Sequence, residues 1–120
     1  MESIQPEVLR SAIKEVWIRA LTEVQPDVLN ALVKARAEET NPRGQQYLDI
    51  LIENAKKAKE NRIVICQDTG VPTFFVKTSL SFPFTGDIRA EFDGALRDLT
   101  KKEFPMRPMV VHPLTRKDRG

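Results

Sequence analysis

Three prolines, Pro6, Pro26 and Pro42, each stand at the head of a stretch whose apolar residues recur every three and four positions. That pattern constrains the fold more than any other feature of the chain. Proline suits the first turn of a helix, where its missing N–H is not needed, and the period of three to four places the apolar set on one helical stripe. Behind Pro6 the stripe is Val8, Leu9, Ala12, Ile13, Val16, Trp17, Ala20 and Leu21. Behind Pro26 it is Val28, Leu29, Leu32, Val33 and Ala35, and the polar stretch Glu38-Glu39-Thr40-Asn41 closes that helix before Pro42. Asn41 is placed to cap the third helix, which carries Tyr47, Leu48, Leu51, Ile52, Ala55 and Ala58. Lys56, Lys57 and Lys59 lie in its closing turn, where cations favour the negative end of the helix dipole. Residues 1–60 therefore read as three antiparallel helices.

The texture changes at Asn61-Arg62. Ile63-Val64-Ile65-Cys66 is short and β-branched and is expected to form a buried strand. Thr69-Gly70 and Pro72 mark a turn, and Thr73 to Leu80, with Phe74, Phe75 and Val76, is expected to form a second strand. Residues 81–86 form a loop. Ile88, Phe92, Ala95, Leu96 and Leu99 return to helical spacing, with Thr85 or Asp87 as cap and a fade near Glu103 before Pro105. The expected class is α+β and mostly α: about three N-terminal helices, then short strands and one further helix. It is a single unit over 1–120, helical to residue 60 and α/β beyond it. Trp17, Tyr47 and Phe92 are expected in the core.

At 120 residues, 41% hydrophobic and 30% charged, the chain has material for one core. Nineteen Lys and Arg against 17 Asp and Glu leave a net charge of +2, too small a surplus to create the field that nucleic acid requires. Its apolar runs are a few residues long, where a membrane span needs about 20. The opening Met-Glu-Ser-Ile-Gln-Pro-Glu has neither the basic nor the apolar region of a secretory leader, so a cytoplasmic location is expected. One cysteine excludes an internal disulfide, and one cysteine with one histidine excludes a four-ligand zinc site of the Cys/His type built from this chain alone.

The chemistry gathers around that cysteine. Cys66-Gln67-Asp68-Thr69-Gly70 brings a thiol, an amide and a carboxylate together at the end of an apolar run. A thiolate is a soft ligand suited to zinc, copper(I) or iron-sulfur clusters, and a carboxylate can exchange a proton. Taken singly, each residue also has a plainer reading. Cys66 is equally a small buried hydrophobe, Asp68 a turn former before glycine, Gln67 a solvated amide, and Arg107 a surface cation. His112 reads as structural, and Arg116, Lys117 and Arg119 as a solvated basic end.

Together, Ile65-Cys66-Gln67-Asp68-Thr69-Gly70 and, about 40 residues later, Arg107-Pro108-Met109-Val110-Val111-His112-Pro113-Leu114-Thr115-Arg116-Lys117 resemble class I fumarases. The chain is most similar to the alpha subunit of the two-subunit fumarase and tartrate dehydratase group, which are oxygen-sensitive iron-sulfur hydro-lyases. The helical half, from Pro26-Asp27-Val28-Leu29 to Arg62, fits that family's opening region, so the resemblance covers essentially the whole chain. It implies that Cys66 is one of three thiolate ligands to a 4Fe-4S cluster whose fourth iron is open to substrate. It further implies that Gln67 and Asp68 contact a small dicarboxylate, that Asp68 takes part in proton transfer, and that Arg107 grips a substrate carboxylate.

Two departures qualify the resemblance. The family needs three cysteines and this chain has one, so the remaining cluster ligands are expected outside it. The family usually continues after Pro-Leu-Thr-Arg-Lys with Asn-Thr-Gly, where this chain has Asp118-Arg119-Gly120, and an aspartate often stands at the position of His112. The expectation is a fragment of a hydro-lyase that hydrates fumarate to malate, inactive by itself and working in an oligomer with the rest of the alpha subunit and a beta subunit. L(+)-tartrate dehydration is the alternative within the same chemistry. A cluster-free interaction domain is the alternative outside it.

Overall fold

Each of the three marked prolines is the first residue of a helix. The computed structural model describes residues 3–66, 72–102, 104 and 114–115. Its helices are α1 (Pro6–Thr22), α2 (Pro26–Glu38), α3 (Pro42–Asn61) and α4 (Ile88–Lys102). Asn41 caps α3, its Oδ1 accepting the Arg43 N–H at 2.9 Å. Of the two residues proposed to cap α4, Asp87 does so: its Oδ1 accepts the N–H groups of Arg89 at 2.9 Å and Ala90 at 3.2 Å. These bonds satisfy amide hydrogens that have no carbonyl partner within the helix.

The end of α3 turns on a residue that carries no glycine signal. Arg62 takes the left-handed conformation, with φ 51°. The Ile63 N–H then donates to the Ala58 carbonyl at 3.0 Å and the Arg62 N–H to that of Lys59 at 3.4 Å. This pair of bonds is the Schellman closure, which satisfies the last carbonyls of a helix.

No strand occurs among the described residues, so the expectation of an α+β fold is overturned: the described architecture is helical. A strand exists only through a neighbour, and the run 63–66 spends its hydrogen bonds on helices instead. The Ile63 N–H goes to α3, the Ile65 N–H donates to the Leu21 carbonyl at 2.9 Å, and the Ile65 carbonyl accepts from Asn54 Nδ2 at 3.0 Å. Ile63 is also half exposed, where a buried strand had been expected. In 73–80, Phe75, Val76 and Leu80 face solvent and the segment has no regular structure. High β-propensity describes fitness for a half-buried pleated surface, and neither segment is given one.

The chain divides into two compact units, Met1–Glu15 with Asp68–Gly120, and Val16–Gln67. In the first, Ile13, Ala95, Leu99 and Phe104 are buried. Arg10 Nε reaches Glu91 Oε2 and Lys14 Nζ reaches Asp98 Oδ2, both at 2.8 Å, tying α1 to α4. Gly94 makes room for the first of these pairs, because a Cβ there would lie 3.2 Å from the Arg10 guanidinium carbon. Phe74 meets Phe92 edge-on, with ring centroids 4.6 Å apart.

In the second unit Trp17, Ile18, Leu21, Ala55 and Ala58 are buried. The apolar stripe predicted for α1 is thus narrower than expected and shifted: Ile18 joins it, while Val8 and Val16 face solvent. α2 packs along α3, and Arg36 Nε bonds Asp49 Oδ1 between them at 2.7 Å. No residue of α2 is fully buried. Tyr47 is exposed, against the expectation that it is core, whereas Trp17 is buried and Phe92 half-buried. Among the described residues, no helix is long and apolar enough to cross a membrane.

Candidate functional site

The cysteine is approached through a clamp. Ile65, the residue before it, is held on its N–H side by the Leu21 carbonyl near the end of α1 and on its carbonyl side by the Asn54 amide of α3. Two helices therefore fix the backbone immediately ahead of Cys66. The thiol itself is free of disulfide and exposed, which removes the reading of Cys66 as a small buried hydrophobe.

Sequence reasoning did not single out Asn54, although a signal was present. Asparagine is a poor residue for a helix interior, because its amide competes for backbone bonds, and its presence in the middle of α3 marks a side chain with another task. Its neighbour Glu53 is engaged elsewhere. Glu53 Oε1 lies 2.7 Å from Lys57 Nζ one turn on, and this bond holds the Glu53 carboxyl below the usual carboxylate range.

Of the other residues singled out from the sequence, Gln67, Asp68 and Arg107 lie outside the described residues, as do Thr69, Gly70 and His112. Leu114 and Thr115, within the second motif, form part of a turn and are exposed. Among the described residues there is no group of three or more His, Cys, Asp or Glu side chains placed to hold a metal ion. Iron-sulfur clusters are held by sets of thiolates, and the single thiol of this sequence meets one position of such a set. The chain's own residues do not complete the donor set of a 4Fe-4S cluster.

The sequence of 10–120 matches the family model described as fumarate hydratase (fumerase). The chain belongs to the fumarate hydratase family. Individual relatives of this fumarase family agree. A provisionally named L(+)-tartrate dehydratase subunit alpha from Methanocaldococcus jannaschii is 34% identical over 112 residues, covering 92% of this chain and 39% of that protein. A provisionally named class I fumarate hydratase from Geobacillus stearothermophilus is 32% identical over 115 residues, covering 95% of this chain and 22% of that protein. The L(+)-tartrate dehydratase subunit alpha of Escherichia coli K12 is 31% identical over 90 residues, covering 75% of this chain and 29% of that protein. The chain thus spans between about a fifth and two fifths of the length of these fumarase relatives.

Proposed function

We propose that the chain is a component of an iron-sulfur hydro-lyase that hydrates fumarate to malate, and that it acts with the family's remaining polypeptide and a partner subunit. The observation that carries this reading is the match to the fumarate hydratase family over residues 10–120. The names of two relatives, which describe alpha subunits, support a multi-subunit assembly acting on a small dicarboxylate. The same two names favour L(+)-tartrate as the alternative substrate. A reducing compartment, the cytoplasm, suits a protein whose lone thiol must stay unoxidised.

In this proposal Cys66 contributes one thiolate to a 4Fe-4S cluster whose other ligands come from outside the chain, and its exposure supports that role. Gln67 holds a substrate oxygen through its amide. Arg107 grips a substrate carboxylate, since a planar guanidinium forms two parallel hydrogen bonds with it and so fixes its orientation. Asp68 exchanges the proton on the carbon next to a carboxylate, a transfer that positioned acids and bases accelerate by about 10²–10⁴-fold.

The test is anaerobic reconstitution with iron and sulfide, on the chain alone and then with its complementary polypeptide and partner subunit, read by iron content, absorption and turnover of fumarate and tartrate. The expected result is no stable cluster on the chain alone, and both cluster and turnover in the full assembly. Cys66→Ala is expected to lose cluster iron, and Asp68→Asn to retain iron while turnover falls about 10²-fold or more. Full iron content and activity in the Cys66→Ala assembly would falsify the ligand assignment. Turnover of tartrate but not fumarate decides for the alternative substrate. An assembly that never takes up iron is a cluster-free interaction protein.

A further inference from the structure

The segment that follows the cysteine motif leaves two of its large apolar side chains, Phe75 and Leu80, open to solvent. Phe75 is 96% exposed, Leu80 is as open as in an extended chain, and Val76 is more than half exposed. By contrast, Val33 on α2 and Leu51 on α3 are covered to about half. The segment is tethered at both ends within its own unit. Phe74 packs on Phe92 at one end. At the other, the Pro83 carbonyl accepts the Ile4 N–H at 2.7 Å and the Ser3 hydroxyl at 3.2 Å. Between Pro72 and Gly86 the only charged residue is Lys77. A tethered stretch with two bare large apolar side chains and a single charge is poorly suited to water and well suited to a partner surface.

We propose that the 74–80 segment is a docking strap, with Phe75 and Leu80 as anchors, for the fumarase-family polypeptide that lies outside the matched stretch, and that this polypeptide meets it with an apolar surface. The length of the relatives points to that occupant: more than half of each relative's polypeptide lies outside the stretch shared with this chain. Tethering restricts the strap before docking, so less conformational freedom is lost when it binds, and a buried aromatic anchor is the usual centre of such a contact. The inference rests on the reading that the chain works with further family polypeptide.

The test co-expresses this chain with the portions of the Methanocaldococcus jannaschii relative that lie outside the matched stretch, with co-purification and affinity as readouts. The parent chain is expected to co-purify. Phe75→Lys and Leu80→Lys are each expected to weaken binding at least tenfold, with far-UV circular dichroism unchanged, while Val33→Lys on α2 leaves affinity at the parent value. None of these readouts needs a cluster or turnover. Co-purification that ignores both strap substitutions overturns the strap and leaves the assembly reading standing. No co-purification of the parent chain overturns both. Self-association of the chain that Phe75→Lys abolishes also overturns the proposal, because the occupant is then a second copy.

Discussion

Leu99 is the large side chain best shielded from water among the described residues, with 1% of its surface exposed. Replacing a leucine so enclosed removes its burial energy and leaves a cavity, and such changes cost about 2–5 kcal/mol. Leu99→Ala is therefore expected to lower the unfolding free energy by about 3 kcal/mol, measured by urea titration followed by circular dichroism. Its neighbour Asp98 is expected to contribute to the acid response. The hydrogen bond from Lys14 holds the Asp98 carboxyl below the usual range, with the charges of Lys14, Lys102 and Arg10 adding to it and desolvation opposing it. A carboxyl depressed in the folded state adds stability above its unfolded value, near 4, and this contribution is lost as the pH falls through the folded value. The melting temperature should fall below about pH 4, and less steeply in Asp98→Asn than in the parent. Equal slopes in the two proteins would remove Asp98 from the acid response. At this scale the sequence was partly legible. Leu99 lay on a predicted stripe, but the Lys14–Asp98 pair joins residues 84 positions apart, and no local pattern signals it.

Among the elements, the helices were legible because their signals are local. A proline, a capping side chain and an apolar repeat all act within a few residues; α2 and α4 begin and end, and α3 begins, where such signals lie. The cap of α4 is open to a direct measurement: Asp87→Ala should cost about 1 kcal/mol in thermal melts, and Asp87→Asn, which keeps an acceptor, much less. A loss as large in Asn as in Ala would mean that the carboxylate's charge, and not its hydrogen bonds, supports the first turn. The two expected strands were misread for the converse reason. Ile63–Cys66 has the composition of a strand, but its backbone bonds are taken by Ala58, Leu21 and Asn54, which are distant or unremarkable in the sequence. The αL residue closing α3 was equally hidden, since Arg62 occupies a conformation usually marked by glycine.

For the whole molecule, the near balance of 19 basic and 17 acidic residues is matched among the described residues by ion pairs within each unit, Arg10–Glu91 and Lys14–Asp98 in the first and Arg36–Asp49 and Lys59–Glu23 in the second. Family membership was legible from two short motifs, whereas the candidate site was legible only as a list of residues: of Cys66, Gln67, Asp68 and Arg107, the described structure includes the cysteine alone. What it adds is the setting of that cysteine. A sulfur that follows directly on a backbone pinned to two helices has little slack in its leash. Whatever takes hold of it is pulled into register with α1 and α3, and any slackening of the Asn54 grip is felt first as a loss of aim at the thiol.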